Sequence, residues 1–241
     1  MNFIFKSVLM AFHLALALII CLAMFMLPKN IIHLLIQYWA KRLLRILKIK
    51  ITLTGEAYKF LGKDSYLVVS NHISWLDIPV IFSLKPVTFV STTDVKTWPI
   101  IGMLARISGA IFIDRNRKSS LLEVIQAMNL HFKNKKQSIC IFPEGITSNG
   151  YQVLPFKSNL FQSAFESNKL LLPLSIKYKE NNVLTNRTSF HGSTTLMQSF
   201  KRVAKSNLIE VVVDIGHPVK PTQSRKDLSL KLREAIALKI N

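Results

Sequence analysis

The chain opens on an apolar run with no alternation. From Val8 to Leu27, about 20 apolar positions are interrupted only by His13, long enough to cross a ~30 Å hydrocarbon core. Pro28 and Lys29 close the run, and no small-residue cleavage site follows. A retained anchor over about residues 8–27 is expected rather than a removed signal peptide. A different pattern begins at Ile31. At 100° per residue, Ile32, Ile36, Trp39, Leu43 and Ile46 share one face, and Lys41, Arg45 and Lys48 the opposite one. This predicts an amphipathic helix over about residues 30–48, with Trp39 and the basic side chains suited to a headgroup interface. The same face would equally serve a helix packed on the protein's own core. No Asp or Glu precedes Glu56, which favours an anionic lipid surface. Residues 1–48 therefore read as a membrane-associated helix pair, spanning or dipping into one leaflet, and residues 49–241 as a second unit.

From about residue 48 the period changes. "KIKITLTG" alternates and ends at Gly55, the pattern of an edge or half-buried strand. "YLVVSNH", "VTFVS", "AIFIDR", "SICIFPEG", "LLPLSIKY" and "LIEVVVDIG" are further short apolar strands. Between them lie helical segments: "SWLDIPVIFSL" from near Ser74, "TWPIIGMLARISG" ending at Gly109, Ser119 to about Phe132 with Leu122, Ile125 and Met128 in helical spacing, "SNLFQSAFES", and Asp227 to Ile240. Strands alternating with helices predict an α/β fold: a mostly parallel central sheet flanked by helices. Ligands of such sheets gather at the carboxyl ends of the strands. There the sequence places His72, Asp114 and Arg115, and Glu144 and Gly145. No repeat or linker interrupts residues 51–241.

Composition narrows the partners. Lys and Arg total 32 against 13 Asp and Glu, a formal charge of +19, so the surface seeks nucleic acid, anionic lipid or acidic small molecules. The apolar N-terminus favours the membrane. Cys21 and Cys140 lack metal-ligand spacing, and a reduced compartment is expected. There is no phosphate-binding G-x-x-x-x-G-K-[ST] loop, no G-x-G-x-x-G fingerprint and no G-x-S-x-G elbow. The six histidines form no H-E-x-x-H, so a metal site has no support.

His72 and Asp77, five positions apart in "SNHISWLD", then carry the chemistry. An imidazole is suited to taking a proton from an alcohol, and a carboxylate on its other nitrogen fixes the tautomer. The competing reading is a local hydrogen bond capping a helix. Ser74 reads better as an N-cap than as a nucleophile. Arg115 offers a bidentate hold on a phosphate or carboxylate, or is a surface charge. "FPEG" alone is more often a turn.

Taken in order, "NHISWLD", "GAIFIDR", "FPEG" and "LLPLSI" resemble the four motifs of the glycerolipid acyltransferases, the 1-acylglycerol-3-phosphate O-acyltransferase type, over about residues 50–220. The resemblance implies a glycerol-3-phosphate acyltransferase-like fold. The implied reaction moves an acyl group from acyl-CoA or acyl-carrier protein to the free hydroxyl of a lysophospholipid, most commonly 1-acylglycerol-3-phosphate. His72 would be the general base and Asp77 its orienting partner. Arg115 would anchor the acceptor's anionic head, and Glu144 and Gly145 would shape its site. No metal and no cofactor beyond the acyl donor is implied. The helix pair and basic surface resemble bacterial members. Six Lys or Arg lie between Lys29 and Lys50 against Lys6 alone before the apolar run, so if the first helix spans, the bulk of the chain is expected on the cytoplasmic face, and the resemblance implies a bacterial inner membrane.

One departure matters. The family's third motif usually continues with Thr-Arg after "FPEG", and here Ile146 and Thr147 stand instead. Lys157 or Lys96 would have to supply the missing cation. Alternatively the acceptor lacks a phosphomonoester, as lyso-ornithine lipid does. Two readings from other classes are a non-catalytic membrane-surface lipid-binding protein and a nucleic-acid binder. The second rests on charge alone: the basic groups at 133–136 and 201–205 lack interleaved aromatics, so no nucleic-acid partner is expected.

Overall fold

The computed structural model describes residues 3–23, 27–98, 100–117, 119–135, 137–222 and 224–240. In chain order the elements are α1 (Phe3–Ala23), α2 (Lys29–Ile46), β1 (Ile49–Gly55), α3 (Ala57–Leu61), β2 (Leu67–Ser70), α4 (Asp77–Leu84), β3 (Thr88–Thr92), α5 (Ile101–Ile107), β4 (Ile111–Ile113), α6 (Ser120–Asn134), β5 (Ile139–Ile141), α7 (Gln162–Glu166), β6 (Leu171–Glu180), β7 (Val183–Leu184), α8 (Leu196–Lys205), β8 (Ile209–Ile215) and α9 (Arg225–Ala237).

The sheet runs β1-β8-β6-β2-β5-β3-β4, with β7 folded back on β6. β6, β2, β5, β3 and β4 are mutually parallel. β8 is antiparallel to β6, and β1 parallel to β8. β1 is an edge strand, as its alternation predicts. The five parallel strands deliver their carboxyl ends to one rim, and His72, Arg115 and Glu144 follow β2, β4 and β5 there.

Strand alternation divides the core in two. Val68 and Cys140 face a buried cluster that continues into α1, α2 and α4. Leu67, Val69, Ile139 and Ile141 face a second one, with Met128 of α6, Ala164 of α7 and Leu232 of α9. The predicted Leu122 position is 65% exposed, because the inward face of α6 runs through Val124, Ile125, Met128 and Phe132. The predicted helix in "SNLFQSAFES" is shorter than its pattern: a 3-10 turn, Asn159–Phe161, leads into α7.

The helix pair departs most from its reading. α1 begins ahead of the predicted Val8 and takes in Lys6. That side chain is buried, its ammonium donating to the Ser206 carbonyl at 2.7 Å. The predicted helix ran on to Leu27, but 24–26 lie outside the described residues, as does Lys136 of the 133–136 basic group. The apolar face of α2 is covered by protein. Ile32, Ile36, Trp39, Leu43 and Ile46 are all buried in the first cluster. Trp39 is 8% exposed, stacks on His13 at 4.5 Å between centroids and donates its indole hydrogen to the His13 carbonyl at 3.0 Å. It therefore does not sit at a headgroup interface. Tyr38, Lys41 and Arg45 are exposed instead. α1 turns one face to the protein and leaves Ile4, Val8, Phe12, Ile19 and Leu22 exposed. It is long and apolar enough to cross a membrane. Gln37 ties α2 to the end of α4, donating to the carbonyls of Ser83 at 3.1 Å and Leu84 at 3.2 Å.

Candidate active site

β2 ends at Ser70, and Asn71 pins the exit of the strand. Its amide donates to the Ile176 carbonyl at 2.9 Å and its carbonyl accepts from Ile176 N at 2.8 Å. The chain then turns through His72–Leu76 before α4 starts at Asp77. Asp77 organises that turn. Its Oδ2 accepts from His72 Nδ1 at 2.7 Å, from Ile73 N at 2.7 Å and from Ser74 N at 2.9 Å. Its Oδ1 accepts from the Tyr178 hydroxyl at 2.7 Å. A fully buried carboxylate is costly to desolvate, and four donors offset the cost.

The predicted N-cap role of Ser74 is not seen. α4 begins later than its apolar pattern suggests, and the Ser74 hydroxyl accepts from Leu76 N at 3.2 Å within the turn. Asp77 instead reaches backwards to hold the turn ahead of α4, whose own N-terminus has no side-chain cap. Burial and the Asp77 carboxylate together push the Tyr178 phenol well above its usual range, so it remains a donor.

The His72 ring lies flat on Phe142, with centroids 4.0 Å apart and planes 14° apart. With Nδ1 donating to the carboxylate, Nε2 is left as the acceptor, and the side chain keeps 20% of its surface open. The backbone of His72 is held on both sides. Its N–H donates to Glu144 Oε1 at 2.6 Å, and its carbonyl accepts from Ser148 N at 2.8 Å. Glu144 Oε2 accepts from Leu154 N at 3.0 Å. Burial pushes the Glu144 carboxyl up to about 7, against the pull of the two N–H donors. Glu144 is 4% exposed, so its side chain serves the loop backbone.

Gly145 sits at φ +75°, a left-handed conformation that favours glycine. Two cations meet there. Arg115 Nη2 donates to the Gly145 carbonyl, and a Cβ added at Gly145 would come within 3.2 Å of Lys157 Nζ. Lys96 holds its ammonium 4.7 Å over the ring of Phe112 on β4. Thr147, where the related motif has arginine, donates its hydroxyl to the Phe190 carbonyl. The structure thus brings His72, Asp77, Glu144, Gly145, Arg115 and Lys157 to one rim. Tyr178 and Phe142 join the site without having been singled out in the sequence. The signal for Tyr178 was a polar-tipped aromatic ending an apolar strand, which needs a partner when buried. Among the described residues no three metal-ligating side chains gather.

A buried carboxylate behind an imidazole with a free nitrogen is an arrangement for removing a proton from a substrate hydroxyl. Paired cations beside it suit an anionic group on the same substrate.

A family model described as Acyltransferase matches residues 48–177. The lyso-ornithine lipid O-acyltransferase of Pseudomonas aeruginosa is 32% identical over 207 residues, covering 85% of this chain and 77% of that protein. A 1-acyl-sn-glycerol-3-phosphate acyltransferase of Neisseria gonorrhoeae is 28% identical over 168 residues, covering 70% of this chain and 66% of that protein. The crystal structure of the 1-acyl-sn-glycerophosphate (LPA) acyltransferase PlsC from Thermotoga maritima superposes with a TM-score of 0.66. It covers 98% of this chain and 96% of the other at 18% identity, a likeness of fold.

Proposed function

The chain belongs to the acyltransferase family and transfers an acyl group to a lysolipid, and we propose that His72 is the general base of that reaction and Asp77 the group that orients it. Nε2 takes the proton of the acceptor hydroxyl, and the oxygen attacks the carbonyl carbon of an acyl thioester. The C–S bond then breaks, and the imidazolium returns the proton to the departing thiolate. Asp77 holds the Nδ1–H tautomer and stabilises the imidazolium. No enzyme nucleophile is needed. The donor in this reading is acyl-CoA or acyl-carrier protein. The observation that carries it is the 2.7 Å bond between His72 Nδ1 and an Asp77 carboxylate that Tyr178 and two backbone N–H groups already hold in place.

Arg115 and Lys157, both at Gly145, hold the acceptor's anionic head. Two acceptors match the relatives' names: lysophosphatidic acid and lyso-ornithine lipid. Lyso-ornithine lipid has the more specific support. The cation usual in the third motif is absent, Thr147 is committed to Phe190, and the Pseudomonas relative covers more of the chain than the Neisseria one. The membrane meets the bare face of α1 and the exposed Tyr38, Lys41 and Arg45 of α2, with the catalytic rim on the cytoplasmic side of a bacterial inner membrane.

The test is turnover of purified protein with acyl-CoA and acyl-carrier-protein donors against both lysolipids, read by mass spectrometry. His72→Ala should abolish transfer while leaving the protein folded and vesicle-bound. Residual transfer at the wild-type rate would remove the base assignment. A diacylated product only from 1-acylglycerol-3-phosphate would assign the acceptor as lysophosphatidic acid.

A further inference from the structure

Arg233 stands on α9, far along the chain from every motif of the site. Its Nη2 donates to the Val153 carbonyl at 2.8 Å, and its Nε is shared between the carbonyls of Leu154 at 3.1 Å and Val153 at 3.2 Å. The same Leu154 gives its N–H to Glu144 Oε2, and Glu144 Oε1 takes the N–H of His72. An unbroken hydrogen-bonded ladder therefore runs from the closing helix through residues 153 and 154 and the Glu144 carboxylate to the backbone of His72. A second tie belongs to the same loop: Lys157 N donates to the Pro143 carbonyl at 2.9 Å.

The fork matters here. Two successive carbonyls are reached at once by a planar guanidinium, whereas an ammonium is a single point of charge. Val153 is 3% exposed, which limits the water available to replace the lost donor. Attachment of α9 does not depend on the arginine, because Leu228, Leu232, Ile236 and Ile240 bury that side of the segment in the second cluster.

We propose that Arg233 is a positioning residue for acyl transfer: it fixes the loop between Phe142 and Lys157, so that Glu144 can hold His72 and Lys157 can stand beside Gly145. This rests on the reading of His72 as the base. Arg233 touches neither the hydroxyl nor the thioester. Its effect reaches the reaction through backbone placement, to which rates are sensitive at the ångström scale.

The charge of Arg233 has a separate signature. The Glu144 carboxyl is faced by Asp77 from α4 and by Arg233 from α9, besides the N–H groups of His72 and Leu154. Arg115 and Lys157 lie beyond Gly145. Arg233 favours the ionised carboxylate. Its removal lets Glu144 keep its proton to higher pH, and the acid limb of the kcat profile should move alkaline.

The experiment compares full-length Arg233→Ala, Arg233→Lys and His72→Ala by kinetics across pH, with urea unfolding alongside. For Arg233→Ala, kcat should fall about tenfold or more, the acid limb should shift upward, and methylguanidine in the buffer should restore turnover. Arg233→Lys should keep the wild-type acid limb yet recover only part of kcat. Wild-type kcat, KM and pH profile in Arg233→Ala, with His72→Ala inactive, would overturn this inference alone. So would a loss in Arg233→Ala that merely tracks the unfolded fraction, with the acid limb unmoved. Activity retained in His72→Ala would instead overturn the base assignment on which it rests.

Discussion

Tyr178 donates its phenolic hydrogen to Asp77 Oδ1 at 2.7 Å, leaving Oδ2 to face His72. One carboxylate is divided between a strand and a loop. Its first oxygen is tied to β6 and its second to the turn that presents the imidazole. Tyr178→Phe removes one donor from a fully buried anion without changing the shape of the core. The variant should lose about 1–3 kcal/mol of stability in urea unfolding. It should also lower kcat about tenfold with little change in KM, since the base is disturbed and not the acceptor contacts. An unchanged kcat would make the bond purely structural.

The Glu144 carboxyl gives a pH-dependent stability of known sign. Its folded value of about 7 lies above its ordinary value of 4.5, so the folded state holds the proton more tightly than the unfolded one. Its contribution is fully present below about pH 4.5 and is lost as pH rises through about 7. Glu144→Gln does not titrate there. The wild type should therefore lose roughly 3 kcal/mol relative to the variant between those limits, with parallel curves outside them. Urea midpoints from pH 4 to pH 8 measure it, and a constant difference across the window would refute it.

Arg115 and Lys157 should act on the acceptor and not on the base. Arg115→Ala should raise the acceptor KM about tenfold with kcat nearly intact, and Arg115→Lys should not restore it, because a point charge cannot reproduce the fork. Because both cations meet at Gly145, the double variant should depart from the sum of the single effects. Steady-state kinetics against acceptor concentration decide this; a kcat effect at constant KM would reassign Arg115.

The bare face of α1 should bind lipid. Phe12→Asp and Ile19→Asp place charges on exposed apolar positions and leave the docked face untouched. Flotation with anionic vesicles should show about tenfold weaker binding. Activity on detergent-dispersed acceptor should persist. Equal flotation by wild type and variants would remove α1 from the membrane contact.

The sheet and the His72–Asp77 contact were legible because both depend on residues close in sequence. Apolar runs bounded by turns mark strands, and five positions suffice to bring Asp77 back on His72. The helix pair was legible as helices but not in its surroundings. An apolar stripe on α2 meets lipid and a protein core on the same terms, and only the fold reveals that α1 and α4 cover it. α8 is signalled by its cap and not by apolar periodicity: Thr195 and Gln198 form a capping box that announces it. The partners of Tyr178 and Arg233 carry no local signal, since Tyr178 meets Asp77 across 101 positions and Arg233 meets Val153 across 80.

α4 carries Asp77 at its first residue and the Gln37 clamp at its last two carbonyls. At 1.5 Å per residue it is a strut of about 12 Å between α2 and His72. In the proposed membrane-bound state, His72 would stand at a fixed height over the lipid plane, and acceptors would reach it by lateral diffusion. Turnover should then follow the mole fraction of lysolipid in the membrane, so that diluting the vesicles changes little while diluting the acceptor among inert lipids slows the enzyme.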